Sequence, residues 1–299
     1  MSSPSSPDLY ALMIRLTAGI SATLHATQGH LAHAAFLDIL RQADPDLSHA
    51  LHTAAKRKPF TISPLQGFGY GQNGQLHLRA GQEGWLRITL LDSALFHTFI
   101  QYFLHPQNRP IIQLQHIPFQ VSEILSTPGS HPLAGYNSFD NLFHHWAEKP
   151  LTPQDLSITL HFRSPTAFSR RGLDHRAMHV LPDPYFVFGE LARYWDTYTG
   201  HEIMEDCQNF AAESVVVARH EIATHIYQFG PHVRQVGFAG TVTFEIKDKT
   251  ETALIQHLNR LADLAFYTGL GYKTTMGMGQ VVRRYEVGGK KVGGRRYEV

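Results

Sequence analysis

The run Gly269-Leu270-Gly271-Tyr272-Lys273-Thr274-Thr275-Met276-Gly277-Met278-Gly279 sets four glycines in mirrored Gly-x-Gly pairs around a polar centre. Packed helix and strand interiors tolerate few glycines, so the run is expected to be a loop. Glycine permits positive φ and close backbone approach, and a chain of this kind can aim several N–H groups at one anion. The expectation is a cradle for a phosphate backbone; a glycine-rich surface turn with no ligand is the plainer alternative. A helical run ending near Tyr267 precedes it and a short strand over 280–284 follows. That order excludes the common nucleotide loops, which follow a strand, open a helix and use other glycine spacings.

Upstream of the loop, Leu254, Leu258, Leu261 and Ala265 recur at i, i+4, i+7 and i+11, the spacing of a helix with one buried face. Before it come strands over 218–229 and 240–246, a helix carrying Phe188, Leu191, Ala192 and Trp195, and a strand over 157–163. In that strand Ile158, Leu160 and Phe162 alternate with Thr159, His161 and Arg163. The first half shows the same order. Residues 9–16 alternate like a strand, Phe36, Ile39, Leu40 and Ala43 share a helix face, and Asp44-Pro45 breaks that helix before a shorter one through Leu47 and Leu51. A strand over 60–65, a glycine-rich turn region over 67–74, strands near Leu76 and Leu86-Ile88-Leu90, a helix with Phe96, Phe99, Ile100 and Phe103, and a strand over 117–125 complete it. The fold class expected is α+β: two tandem ferredoxin-like (βαββαβ, RRM-like) domains with a C-terminal glycine-rich loop.

The expected boundaries are a disordered start over 1–8, an N-terminal domain over 9–126 carrying the catalytic residues, and a Pro/Gly-rich linker over 127–153. A C-terminal domain over 154–286 and a flexible tail over 287–299 follow; in the tail Arg283-Arg284-Tyr285-Glu286-Val287 recurs as Arg295-Arg296-Tyr297-Glu298-Val299.

With 299 residues, 43% hydrophobic and 17% charged, the chain can bury real cores. No apolar run approaches the roughly 18 to 20 residues of a membrane span, and the Ser/Pro-rich start has no signal core. The single cysteine, Cys207, excludes an intramolecular disulfide and a multi-cysteine zinc site, so a reducing cytoplasm is the expected home. A formal net charge of +1 means that any nucleic-acid surface must be local. The 20 histidines supply imidazole for proton transfer near neutral pH.

The densest ionisable group is His49, His52, Lys56, Arg57 and Lys58, at a predicted helix end beside a strand. Imidazole can transfer a proton, and lysine can hold a phosphate or an accumulating negative charge. Such a site can cleave RNA without a metal, because the 2′-hydroxyl can attack the adjacent phosphate once the nucleotide is held in line. A solvated helix end with charges suiting its dipole is the bland alternative. His220-Glu221-Ile222-Ala223-Thr224-His225 has one residue too many for the zinc-protease helix and reads as a strand. No metal ligand and no cofactor is therefore expected. Candidate RNA contacts are Arg163, the basic loop with Arg170, Arg171 and Arg176, Lys56 and Arg57, Lys273 within the glycine run, and Arg283 beyond it. Each of these taken alone also suits a solubilising face.

Together these residues resemble the CRISPR precursor-RNA processing endoribonucleases of the repeat-associated (RAMP) superfamily. The pairs Gly269/Gly271 and Gly277/Gly279, each around a hydrophobic residue and separated by five residues, match the family signature before a last strand. Leu51-His52, then Lys56-Arg57-Lys58, then Phe60-Thr61-Ile62-Ser63 match a second family pattern, and Ser164-Pro165-Thr166-Ala167-Phe168 is also similar. The resemblance implies metal-independent cleavage within the CRISPR repeat, leaving a 2′,3′-cyclic phosphate and a 5′-hydroxyl. His52 would be the general acid/base and Lys58 would stabilise the pentacoordinate phosphate. Members with a three-residue site carry a tyrosine on the first helix; this chain has Phe36 or Leu37 there, and His33, one turn earlier, is the substitute. The implied partners are CRISPR repeat RNA, as precursor and mature crRNA, and effector-complex subunits, with pairing of two copies open. The alternative the family offers is a catalytically inactive repeat-RNA-binding subunit of an effector complex.

Overall fold

The computed structural model describes residues 6–25, 28–53, 57–69, 75–169, 178–229 and 233–285, without the side chains of His25 and His52. Lys56, Arg170, Arg171, Arg176 and the tail expected over 287–299 lie outside the described residues.

The first half runs β1 (Leu9–Ala18), β2 (Ala22–His25), α1 (Gly29–Ala43), α2 (Pro45–Thr53), β3 (Phe60–Ile62), β4 (Gln75–Leu78), β5 (Glu83–Leu90), α3 (Ser93–Leu104), β6 (Ile111–Leu114) and β7 (Ile117–Leu125). β8 (Gly135–Asn137) and α4 (Phe139–Glu148) follow. The second half runs β9 (Ser157–Thr166), β10 (Phe168–Ser169), β11 (Met178–His179), α5 (Pro184–Thr199), α6 (Met204–Ser214), β12 (Val215–Gln228), β13 (Arg234–Ile246), α7 (Thr252–Thr268) and β14 (Val281–Arg284). Local chemistry sets the helix ends. The Asp92 carboxylate caps α3 by accepting the Leu95 N–H at 2.9 Å, and α5 opens on Asp183-Pro184 and stops at Gly200, whose φ of 75° is left-handed.

The main sheet of the first half has the order β3-β5-β1-β7-β6, and that of the second half β12-β13-β9-β14. All neighbours in both sheets are antiparallel. With β2 and β4 set aside as a separate ribbon, each order is that of a βαββαβ unit, so the fold is two tandem ferredoxin-like domains. In the first domain Phe36 of α1 and Phe99 of α3 lie against each other and Phe36 meets Phe60 of β3, while Leu12, Ile14 and Ile88 come up from the sheet. In the second, Phe188, Leu191 and Trp195 of α5 and Leu258, Leu261 and Ala265 of α7 close over Leu160, Val242 and Phe244.

The segment expected to be a linker, 127–153, is instead folded into both halves. Within it β8 pairs with the start of β1, and Phe139, Leu142 and Trp146 of α4 are buried at i, i+3 and i+7. Trp146 Nε1 donates to Asp263 of α7 at 2.6 Å. The Pro/Gly content of its first part concealed an apolar helical face in its second.

Two half-buried histidines are expected to make the second domain acid-sensitive. Burial, with Arg284 and Arg163 nearby, pulls His161 down to about 4. Burial and the Arg260 guanidinium, donating to its Nδ1 at 2.8 Å, do the same to His257, also to about 4. The unfolded chain takes up these protons near pH 6.5 and the folded chain resists until about 4, so their contribution is complete above 6.5 and is lost as pH falls towards 4. Thermal melts should therefore show Tm dropping across that window, and His257→Asn should shallow the drop; an unchanged slope in that variant would remove His257 from the account.

Candidate functional site

The glycine-rich run leaves α7 at Gly269 and makes one 3-10 turn over Thr274–Met276 that packs against α1 and β3. Lys273 enters the turn at φ 55° and Gly277 leaves it at φ 98°. The outer glycines bring the two arms together: the Leu270 N–H donates to the Gly279 carbonyl at 2.8 Å, and a Cβ on Gly279 would lie 2.1 Å from the Leu270 carbonyl oxygen. Gly271 packs on the Ala167 carbonyl and Gly277 on the Tyr227 hydroxyl.

Several of the loop's backbone donors turn inward. The N–H groups of Gly269, Leu270, Tyr272, Met276 and Gly279 donate to the carbonyls of Ala265, Gly279, Ala167, Lys273 and Pro165, and the Gln280 N–H donates to Ser164 Oγ. A donor turned inward is not available to a phosphate. The glycines make a clasp that joins the end of α7 to the end of β9 and presses the 3-10 turn on the first domain. Lys273 lays its ammonium 3.9 Å from the Phe229 ring centroid, and burial lowers its pKa.

On the first domain, His33 of α1 is half-buried, with its ring 5.6 Å from that of Phe60. Its Nδ1 lies 3.1 Å from the Thr275 carbonyl of the glycine loop. A carbonyl only accepts, so Nδ1 carries the proton there and Nε2 is the basic nitrogen of the neutral ring. Phe36 is buried in the core at 1% exposure and offers no proton.

The His52 backbone lies in the last turn of α2. The Lys58 ammonium returns to that same turn and donates to the carbonyl of Leu51, the residue before His52. Burial draws the Lys58 pKa downward. An ammonium suits a helix C-terminus, where carbonyls lack intrahelical partners, and the bond holds Lys58 beside the His52 backbone.

Arg57 is not an open cation. Its guanidinium pairs with Glu190 and stacks 4.6 Å from the Tyr194 centroid, and its carbonyl accepts the Tyr198 hydroxyl at 2.9 Å. Arg283 is likewise turned inward: it donates to Asp263 at 3.0 Å and to Asn259, and its side chain is 5% exposed. The guanidinium of each arginine is thus engaged by protein partners. Arg163 is half-buried on β9, near Arg87, His131 and His161. Sequence reasoning missed Glu190, Tyr194 and Tyr198, although their i, i+4, i+8 spacing marks a polar stripe on α5. Among the described residues no group of three or more His, Cys, Asp or Glu is arranged to hold a metal, and no helix is long and apolar enough to cross a membrane.

A family model described as CRISPR-associated endoribonuclease Cas6 matches residues 160–281, and one described as the CRISPR Cas6 N-terminal domain matches residues 9–144. Among solved structures the chain is similar to a Cas6 product complex at 27% identity and a TM-score of 0.76, covering 93% of this chain and 100% of that one. It is similar to Thermus thermophilus Cas6 at 26% identity and a TM-score of 0.69, covering 94% of this chain and 100% of that one. A further Cas6 product complex matches at 25% identity and a TM-score of 0.68, covering 92% and 99%. No curated protein sequence matches the chain significantly.

Proposed function

The chain belongs to the Cas6 family of CRISPR-associated, repeat-RNA-processing endoribonucleases, and from that premise we propose that it cuts the repeat of a precursor transcript once, without a metal, by attack of a 2′-hydroxyl. The attacking oxygen gives up its proton as it bonds to phosphorus, the 5′-oxygen leaves and takes up a proton, and the products carry a 2′,3′-cyclic phosphate and a 5′-hydroxyl. His52 transfers the proton, and Lys58 stabilises the pentacoordinate phosphate, whose charge is largest in the transition state. His33, with Nε2 as its basic nitrogen, is the second imidazole and stands in for the tyrosine of other members. Lys273, Arg163 and, outside the described residues, Lys56, Arg170, Arg171 and Arg176 are the proposed phosphate contacts.

The observation supporting this reading is the bond between the Lys58 ammonium and the Leu51 carbonyl. It ties a cation to the turn that bears His52, as a proton-transfer group and a charge stabiliser acting on one phosphate require. Incubation of the protein with its repeat RNA in buffer containing EDTA should give one cut, with a 5′-hydroxyl on the downstream product and a cyclic phosphate on the upstream one. Loss of cutting with chelator, or a 5′-phosphate end, would overturn the mechanism. No cutting by the wild-type protein would favour a repeat-binding subunit instead.

A further inference from the structure

Arg57, just before Lys58 and β3, is docked on the second domain. On α5, Glu190, Tyr194 and Tyr198 face the same way, and all three hold Arg57. The ion pair is mostly shielded, with side-chain exposures of 22% for Arg57 and 17% for Glu190, and Arg193 adds a second cation 3.5 Å from Glu190. Tyr194 also interacts with the Thr274 side chain, inside the glycine loop's turn. One helix of the second domain thus grips both the residue before Lys58 and the turn whose Thr275 carbonyl accepts from His33.

We propose that Arg57 is a positioning residue, latched by Glu190, Tyr194 and Tyr198, which fixes the linker so that Lys58 and the last turn of α2 are aligned with RNA gripped by both domains. This rests on the reading of His52 and Lys58 as the reacting pair. Reactive groups must be held closely, and a misplacement of about 1 Å costs roughly 100-fold in rate. Arg57 can hold the linker because its fork, its ring stacking and its own carbonyl are engaged at once. A lysine there would keep the charge and lose the fork geometry.

Glu190→Gln removes the charge at almost constant shape. Both Glu190→Gln and Arg57→Ala are expected to slow single-turnover cleavage by roughly 10- to 100-fold, while affinity for a non-cleavable repeat RNA stays near the wild-type value. The double variant should be no slower than Arg57→Ala alone, because both changes break one contact. Amide hydrogen exchange over residues 57–62 should speed up in each, and Arg57→Lys should recover only part of the rate. Wild-type cleavage by Glu190→Gln, additive losses in the double variant, or a loss of affinity matching the loss of rate would overturn the latch, the last making Arg57 an RNA contact. His52→Ala, run alongside, reports on the parent reading: full cutting by that variant removes the proton-transfer role, while the Glu190→Gln rate and exchange still decide the latch.

Discussion

His52→Ala is expected to lower the single-turnover rate of repeat cleavage by about 10²- to 10⁴-fold and to leave RNA affinity nearly unchanged. The size of the rate effect follows from removing a proton-transfer group from a reaction whose leaving oxygen must be protonated. Affinity is spared because phosphate neutralisation by lysine and arginine supplies most binding to a nucleic-acid strand, and a neutral imidazole adds little to it. The helix itself should also tolerate the change. α2 anchors through Leu51 and Ser48, both buried, and through the Asp44 carboxylate, which accepts the Leu47 N–H at 3.0 Å. Alanine is the best helix former, so the turn that Lys58 reaches survives. A 2′-deoxy nucleotide at the scissile position supplies the matching control from the RNA side, since it removes the nucleophile and leaves the protein intact. Wild-type protein should bind that substrate and not cut it. Cutting of the deoxy substrate would mean that water or another group attacks phosphorus, and undiminished cutting by His52→Ala would move the proton transfer to another residue.

Much of the architecture can be read from periodicity, because both domains bury one face of each helix against an alternating sheet. The strict alternation of Ile158, Leu160 and Phe162, and the helical spacing of Leu254, Leu258 and Leu261, each encode an element without help from distant residues. The glycine run could be read as a loop and as a family signature, but its donors could not be assigned, because their acceptors, Pro165 and Ala167, belong to the end of another strand. Long-range pairing hid the protein partners of the arginines too. Lys56-Arg57-Lys58 has the composition of a phosphate contact, whereas the carboxylate that holds Arg57 is 133 residues away. Arg283 reads as a free cation beside the glycine run until Asp263, 20 residues back on α7, is brought against it by the glycine loop that joins α7 to β14. What the sequence did display, unread, was the Glu190-Tyr194-Tyr198 stripe on the polar side of α5. A polar stripe of that spacing on a partly buried helix signals a partner element, though not which one.

Arg87→Met is expected to cost about 3–5 kcal/mol of folding stability, the range for breaking a buried charged network, and so to lower Tm by roughly 10 °C at about 2–4 °C per kcal/mol. Arg87 is 4% exposed and lies where the domains meet. Its Nε donates to the Leu133 carbonyl at 3.0 Å, Nη1 to Gln280 Oε1 at 3.1 Å and Nη2 to the Phe266 carbonyl at 2.7 Å. The guanidinium also sits 4.5 Å from the Phe266 ring centroid. Burial, with Arg163 nearby, pushes its pKa down to about 9, which still leaves it charged at neutral pH. Two effects oppose each other in the substitution. Methionine removes a desolvated charge that faces no carboxylate among these partners, which favours the variant. Against that, three acceptors from three separate segments, two of them in buried bonds and one in a part-buried bond, lose their donor, at about 1–3 kcal/mol each when buried. The acceptor loss should win, because Gln280 and the end of α7 are already fixed elsewhere in the seam. Gln280 also donates to Thr61 at 3.3 Å, and the Thr89 hydroxyl donates to the Tyr267 carbonyl at 2.6 Å, so the acceptors cannot turn to water without breaking those bonds. Arg87→Lys should recover little, since one ammonium cannot reach three acceptors spread around a planar fork. Because the seam carries the coupling between the halves, calorimetry should show them unfolding less cooperatively in Arg87→Met than in the wild-type protein. Stability equal to wild type would mean that the remaining contacts of the interface hold it without Arg87.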